Sequence, residues 1–346
     1  MTENSDNGRI IGSDFRPAWW LANRHAQTIY PSLPWSVPRR IALRSEALEL
    51  PDGDTTVVDW LVEAPDSAED LPLLVILHGL ESSAEASYAQ LLLGETRDHG
   101  WNACVLHFRD CGDYRNRLPR RYHAGETNDI RYFLEKLITD GQCGPICAAG
   151  YSLGGSVLLK YLGENGAYTP VQAAAAVSVP LDLAKSADSL NCGFSKVYQR
   201  LLLKRMKESI ARKFDQHTAA FDWHRAMSAT NFADFDDAVT APLHGFEGKD
   251  DYYGSCSSVS FLDRIDRPTL IVNALDDPFM SPDIIPSESR LSSSVTIELS
   301  ERGGHVGFIS GGAPWNPRYF LPQRIIGFLE QSLESQDITQ PVMPGL

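Results

Sequence analysis

The chain has 346 residues, 43% of them hydrophobic and 22% charged, with 31 Lys and Arg against 45 Asp and Glu and a formal net charge of −14. That composition supports a folded core and excludes a wholly disordered chain, a polytopic membrane protein and, with only six cysteines, a disulfide-built miniprotein. The acidity argues against nucleic acid as a partner, because a polyanion is repelled overall, and weakly against docking on anionic membranes by charge alone.

Residues 1–14 are polar and lack the apolar segment of a secretory signal. The richest apolar stretch, Leu71 to Leu80, is too short to span a bilayer and contains His78. No transmembrane segment and a cytoplasmic location are therefore expected. Residues 1–40 are expected to form an irregular arm packed on the core. Pro17, Pro31, Pro34 and Pro38 discourage a long helix there, and Trp19, Trp20 and Trp35 call for burial. The runs Ile41–Leu50 and Thr55–Glu63 read as strands joined by a turn at Pro51-Asp52-Gly53-Asp54, a better reading of the two acids than a cation site.

An alternation follows. Leu73–Leu77 is apolar throughout, as suits a strand buried on both faces. Ala86–Asp98 has helical spacing, Ala103–Phe108 is strand-like, and Thr127–Thr139 carries a helical stripe with Thr127 as N-cap. Ile146–Ala149 is a strand, Gly154–Leu162 a helix and Ala173–Val179 a strand. The pattern stops over 181–266, a stretch with helical signals such as Val197–Phe214. It resumes with strands Thr269–Ala274 and Val295–Leu299 and the helix Gln323–Leu333, leaving 334–346 as a loose tail. The predicted class is α/β: a mostly parallel sheet with helices on both faces, split into core parts 41–180 and 267–333 by a helical insertion, a lid, after the sixth strand. The basic run 201–213 reads as a solvated helix face, with an anionic-headgroup patch as the lesser alternative.

The strongest chemical signal is Gly150-Tyr151-Ser152-Leu153-Gly154 between the strand 146–149 and the helix 154–162, the context a nucleophile elbow requires. The turn is too sharp for side chains two residues either side of Ser152, hence Gly150 and Gly154. The helix N-terminus beneath it favours developing negative charge. A serine needs a base and a group to orient that base. In the chain order Ser, Asp, His, only His305 follows the last strand among the downstream histidines. Asp276 is first off the preceding strand and is the preferred acid, with Asp277 left to cap the turn before Pro278. An oxyanion hole would use the backbone N–H of Leu153 and that of Leu80, with Gly79 second. His78 reads as a packed loop residue rather than a base. Cys143-x₃-Cys147 has no second ligand pair, so the cysteines read as ordinary thiols and no metal or cofactor is expected.

These residues, together with Trp20-Leu-Ala-Asn23-Arg-His25-Ala-Gln27-Thr28, His78-Gly-Leu-Glu81, Asn116-Arg-Leu-Pro-Arg-Arg-Tyr-His-Ala-Gly-Glu126-Thr, Ala241-Pro-Leu-His-Gly245, Asn273-Ala-Leu-Asp-Asp-Pro-Phe279 and Gly304-His305, make the chain resemble the YheT-like α/β-hydrolases. That family is related to α/β-hydrolase-domain lipid esterases and phospholipases and to medium-chain fatty-acid ethyl ester synthases. The resemblance implies Ser152, Asp276 and His305 as nucleophile, acid and base, and a small-molecule ester with a lipid-like or medium-chain acyl group as substrate. Ser82 and Asp110 stand where the family tends to have Gly. Arg115, Arg117, Arg120, Arg121 and His123 read as a structural loop before an anion site, and His25 and Gln27 as locks on the arm. The expectation is a serine carboxylic ester hydrolase working through an acyl-enzyme. Acyl transfer to an alcohol and a non-enzymatic binding scaffold are the alternatives.

Overall fold

The computed structural model describes residues 7–33, 36, 40–62, 70–112 and 114–339. Eleven strands occur among them: β1 (Arg9–Gly12), β2 (Leu43–Glu49), β3 (Thr55–Leu61), β4 (Leu73–Leu77), β5 (Asn102–Leu106), β6 (Ile146–Tyr151), β7 (Val171–Val177), β8 (Thr269–Ala274), β9 (Val295–Ser300), β10 (Ile309–Ala313) and β11 (Asn316–Tyr319). Nine form one sheet in the order β1-β9-β8-β7-β6-β4-β5-β3-β2, and β10 and β11 form a separate antiparallel pair. From β1 to β5 every neighbouring pair is parallel; β3 and β2 close the far edge antiparallel.

The central strands are apolar throughout because both faces are covered. Along β4, Val75 and Leu77 join one core with Ala148, Ala174 and Ala176 and the helix residues Leu158 and Tyr161. Leu74 and Ile76 join the opposite core with Cys147, Ala149, Ala175, Leu92 and Leu329. This period-two division is what a pleated strand imposes. Alanines in β6 and β7 let the helix Leu153–Asn165 approach closely: a Cβ added at Gly155 would lie 2.6 Å from Val179 Cγ2. Between β7 and β8 every residue is described and none is in a strand. Helices there build a third core from Leu203, Met206, Ile210, Phe232, Phe235 and Tyr252, which meets the sheet at Leu80, Leu153 and Phe279.

Four expectations need correction. The arm is not irregular throughout: Arg9–Gly12 adds a strand parallel to β9, and Arg24–Ile29 is helical, capped by the Asn23 side chain. Counting that strand, the helical insertion follows the seventh strand in chain order, not the sixth. Trp19 is 87% exposed rather than buried, while Trp20 packs on Tyr30 and donates to the Gly312 carbonyl; Trp35 lies outside the described residues. The last helix spans Leu321–Thr339, so it runs through the first half of the stretch expected as tail, and 340–346 lie outside the described residues.

Candidate active site

Strand β6 ends at Tyr151, and the next residue turns straight into the helix Leu153–Asn165. Ser152 carries the turn at φ 52° and ψ −120°, a backbone region that L-residues rarely occupy. The flanking glycines are steric necessities: a Cβ at Gly150 would stand 2.6 Å from the Gly154 carbonyl oxygen, and one at Gly154 would stand 2.4 Å from that of His78. Ser152 N–H donates to the Val177 carbonyl at 2.8 Å, which holds the turn against β7.

His305 lies in the loop after β9. Its Nε2 is 3.0 Å from Ser152 Oγ and its Nδ1 2.8 Å from Asp277 Oδ2. A carboxylate can only accept, so the proton sits on Nδ1 and the Nε2 lone pair faces the serine. The imidazole is further held by its surroundings. Its backbone N–H donates to Thr28 Oγ1 at 2.9 Å, and the Phe279 ring lies parallel to it with centroids 3.9 Å apart. Gly304, at φ 62°, passes so close to the arm that a Cβ would meet the Arg24 carbonyl oxygen at 2.5 Å.

Asp276, the expected acid, is not the partner of His305. Its Oδ1 accepts from the Gly304 backbone N–H at 3.0 Å, and burial pushes its carboxyl above the usual range. Asp277 is 1% exposed, with Oδ2 on His305 and Oδ1 accepting from Phe279 N–H at 2.8 Å. The reason is local. Beyond Ala274 the chain leaves extended geometry for a turn closed by Asp277 N–H on the Ala274 carbonyl, so strand alternation no longer tells which carboxylate faces the histidine.

The loop after β4 lies over the serine: a Cβ at Gly79 would be 3.5 Å from Ser152 Cβ. Gly79 N–H donates to Tyr88 Oη at 2.8 Å and is thereby occupied. Leu80 N–H has no protein acceptor among the described residues, and Leu153 N–H, first in its helix, has no intrahelical one. Both residues line the cavity that holds Ser152 and His305. His78 is fully buried, with Nδ1 2.8 Å from the Gly79 carbonyl and Nε2 accepting from Phe108 N–H at 3.2 Å; burial lowers its pKa to about 3. It is a neutral, packed residue.

The two departures noted in the sequence have structural uses. Ser82 Oγ accepts from Tyr88 Oη at 2.8 Å, extending the tether on Gly79. Asp110 sits at φ 66°, a conformation suited to Gly, and its Oδ2 accepts from Ser209 Oγ of the insertion at 3.1 Å. The Arg-rich segment is an internal lattice: Arg120 pairs with Glu126 and Asp52, Arg121 with Glu81, and Arg117 with Glu49. Asp52 and Asp54 belong to it as well; both accept from the Arg109 guanidinium. His25 and Gln27 behave as locks, through Tyr198 Oη and through the Leu21 and Ile309 backbone.

The cavity measures about 1090 Å³. Its walls are mostly apolar, with Leu190, Tyr198, Met206, Phe232, Val239 and Leu243 coming from the insertion. A polar band crosses it, of which the sequence reading notes His123 and, within a quoted motif, His244, but not Asp236, Thr240 or Tyr253. His123 and His244 stand with ring centroids 4.6 Å apart, each lowered by burial to about 3. The buried Asp236 accepts from Thr240 Oγ1 and Tyr253 Oη and is raised by burial to about 6. Among the described residues no group of three or more His, Cys, Asp or Glu side chains could hold a metal, and no helix is long and apolar enough to cross a membrane.

Residues 72–312, more than half of the chain, match the family model described as alpha/beta hydrolase fold. The chain belongs to the α/β-hydrolase fold family. This α/β hydrolase is 40% identical to YheT of Escherichia coli (strain K12) over 97% of its own length and 98% of that protein. It is 26% identical to the human phospholipase ABHD3, covering 91% of this hydrolase and 78% of that protein. An esterase of Pyrococcus furiosus, Pf2001, superposes with a TM-score of 0.52 at 13% identity, over 88% of this chain and 91% of that one, a likeness of fold alone.

Proposed function

We propose that this α/β hydrolase is a serine carboxylic ester hydrolase working through an acyl-enzyme, with Ser152 as nucleophile, His305 as base and Asp277 as the group that orients the base. The observation that carries this reading is the hydrogen-bonded chain from Ser152 Oγ through the His305 ring to Asp277, at a cavity of about 1090 Å³.

Ser152 Oγ attacks the ester carbonyl carbon while His305 Nε2 takes its proton. Asp277 stabilises the imidazolium that results, and the backbone N–H groups of Leu80 and Leu153 receive the oxyanion. The tetrahedral intermediate collapses, the alcohol leaves with the proton from His305, and the acyl group stays on Ser152. Water, deprotonated by His305, then releases the acid and restores the serine. The mostly apolar walls fit a lipid-like or medium-chain acyl group, in line with the relative named as a phospholipase.

A chain-length series of p-nitrophenyl esters tests this. Turnover is expected to peak at a medium chain, and Ser152→Ala is expected to abolish it without changing the thermal unfolding profile. Undiminished turnover in Ser152→Ala would overturn the assignment.

A further inference from the structure

The helix Ser195–Lys213 carries seven Lys and Arg against one Glu, a net charge of +6 on a chain whose net charge is −14. Two of the seven are tied down inside the protein: Lys207 donates to the Met227 and Ala229 carbonyls, and Lys213 to Asn116. The other five, Lys196, Arg200, Lys204, Arg205 and Arg212, are exposed. Among the described residues their one ion pair is the 3.8 Å contact of Lys204 with Glu208 on the same helix. No fold contact accounts for such a concentration of charge.

The same surface exposes apolar side chains. Val197 is 39% exposed, Leu201 57% and, just before the helix, Phe194 49%; Ile29 of the arm is 41% exposed. Phe194 packs on the arm through His25, with ring centroids 4.6 Å apart. Ile29, Leu201 and Arg205 also line the cavity, so this face borders its mouth.

We infer that this face docks on an anionic lipid surface and turns the cavity mouth toward it. Cations alternating with exposed apolar groups are what the headgroup region accepts together, the apolar groups entering the acyl boundary and the cations meeting phosphates. A nucleic acid would use the cations and leave the four apolar side chains in water. The acidic remainder of the molecule is repelled by the same surface, which orients the approach. Each cation brought near an anionic leaflet strengthens binding about fivefold. The inference needs no turnover and goes beyond the ester reading.

Co-sedimentation tests it, with the whole chain and vesicles of phosphatidylglycerol and phosphatidylcholine in equal amounts, beside vesicles of phosphatidylcholine alone. The chain is expected to bind the mixed vesicles, more weakly as salt rises, and to bind the neutral ones poorly. The double variant Arg200→Glu, Lys204→Glu is expected to bind the mixed vesicles about 25-fold more weakly or worse. Its thermal unfolding and its hydrolysis of a short water-soluble ester are expected to stay unchanged. Leu201→Asp is expected to weaken vesicle binding as well. Absence of binding by the native chain, equal binding by the double variant, or capture of a DNA duplex in place of vesicles would each overturn the proposal.

Discussion

At Asp277 one carboxylate oxygen accepts from His305 and the other from Phe279 N–H, so the side chain is held at both ends. At Asp276 the nearest duty is to the backbone of the loop that presents His305. The two carboxylates therefore differ in what an amide would cost. Asp277→Asn is expected to lower kcat by roughly 10³–10⁴-fold, because an amide cannot hold the imidazole in the required tautomer. Asp276→Asn keeps an oxygen for Gly304 N–H and is expected to stay within a few-fold of the native rate. Steady-state kinetics on one ester separates them, and the reverse ranking would exchange their roles. Ser152 was legible because sharp-turn sterics write Gly150 and Gly154 into the sequence, and His305 because only one downstream histidine follows the last strand of the main sheet, β9. The choice between adjacent acids was not, since it depends on how a turn of a few residues directs two side chains.

The elements around the site are joined by a buried electrostatic knot. Asp54, fully buried in the turn between β2 and β3, accepts from Arg109, from Asn116 and from the backbone N–H groups of Thr55, Arg117 and Leu118. Burial alone would push its carboxyl up, but the combined hydrogen bonds hold it below the usual range. Removing it takes one of three carboxylates from Arg109, which keeps Asp52 and Asp129, and strips the Thr55, Arg117 and Leu118 backbone N–H groups of their shared acceptor. Asp54→Ala is therefore expected to cost about 3–5 kcal/mol, because buried donors left without an acceptor cost about 1–3 kcal/mol each, read as a lower urea midpoint at unchanged slope; a change under about 1 kcal/mol would mean the knot is not what fastens this loop. In the sequence the same residues read as turn formers and a basic loop, because pairing between segments far apart in the chain leaves no local pattern. β1 escaped for a related reason: four residues carry too little periodicity, and their partner is β9 at the other end of the chain. Thr127 likewise does not cap its helix; its hydroxyl donates to Glu164 on a neighbouring helix.

Across the whole molecule, ionisation couples folding to pH. His78, His123 and His244 are each lowered by burial from 6.5 to about 3, so they stay neutral when folded and take up protons on unfolding. Their stabilisation is complete above pH 6.5 and is lost as pH falls toward 3. Asp236, raised by burial from 3.8 to about 6, acts in the opposite sense: its stabilisation is complete below pH 3.8 and is lost as pH rises through 6. Near pH 5 these four groups give a net uptake of about two protons on unfolding, so stability is expected to fall by roughly 3 kcal/mol per pH unit on acidification. Asp236→Asn is expected to steepen that slope by about one proton, because it removes the opposing group. Urea denaturation between pH 4 and pH 7 measures both, and a shallower slope in the variant would contradict the assignment. The alternation of strands and helices, and with it the α/β class, was legible from buried apolar runs alone. The charge asymmetry of the insertion was visible too, but its position at the cavity mouth required the fold.

The most direct measurement for the central claim is covalent labelling by a fluorophosphonate, followed by intact-protein and peptide mass spectrometry. The account predicts a single adduct on Ser152, absent in Ser152→Ala and formed far more slowly in Asp277→Asn than in Asp276→Asn. No adduct on the folded native chain, or an adduct on another residue that persists in Ser152→Ala, would contradict it.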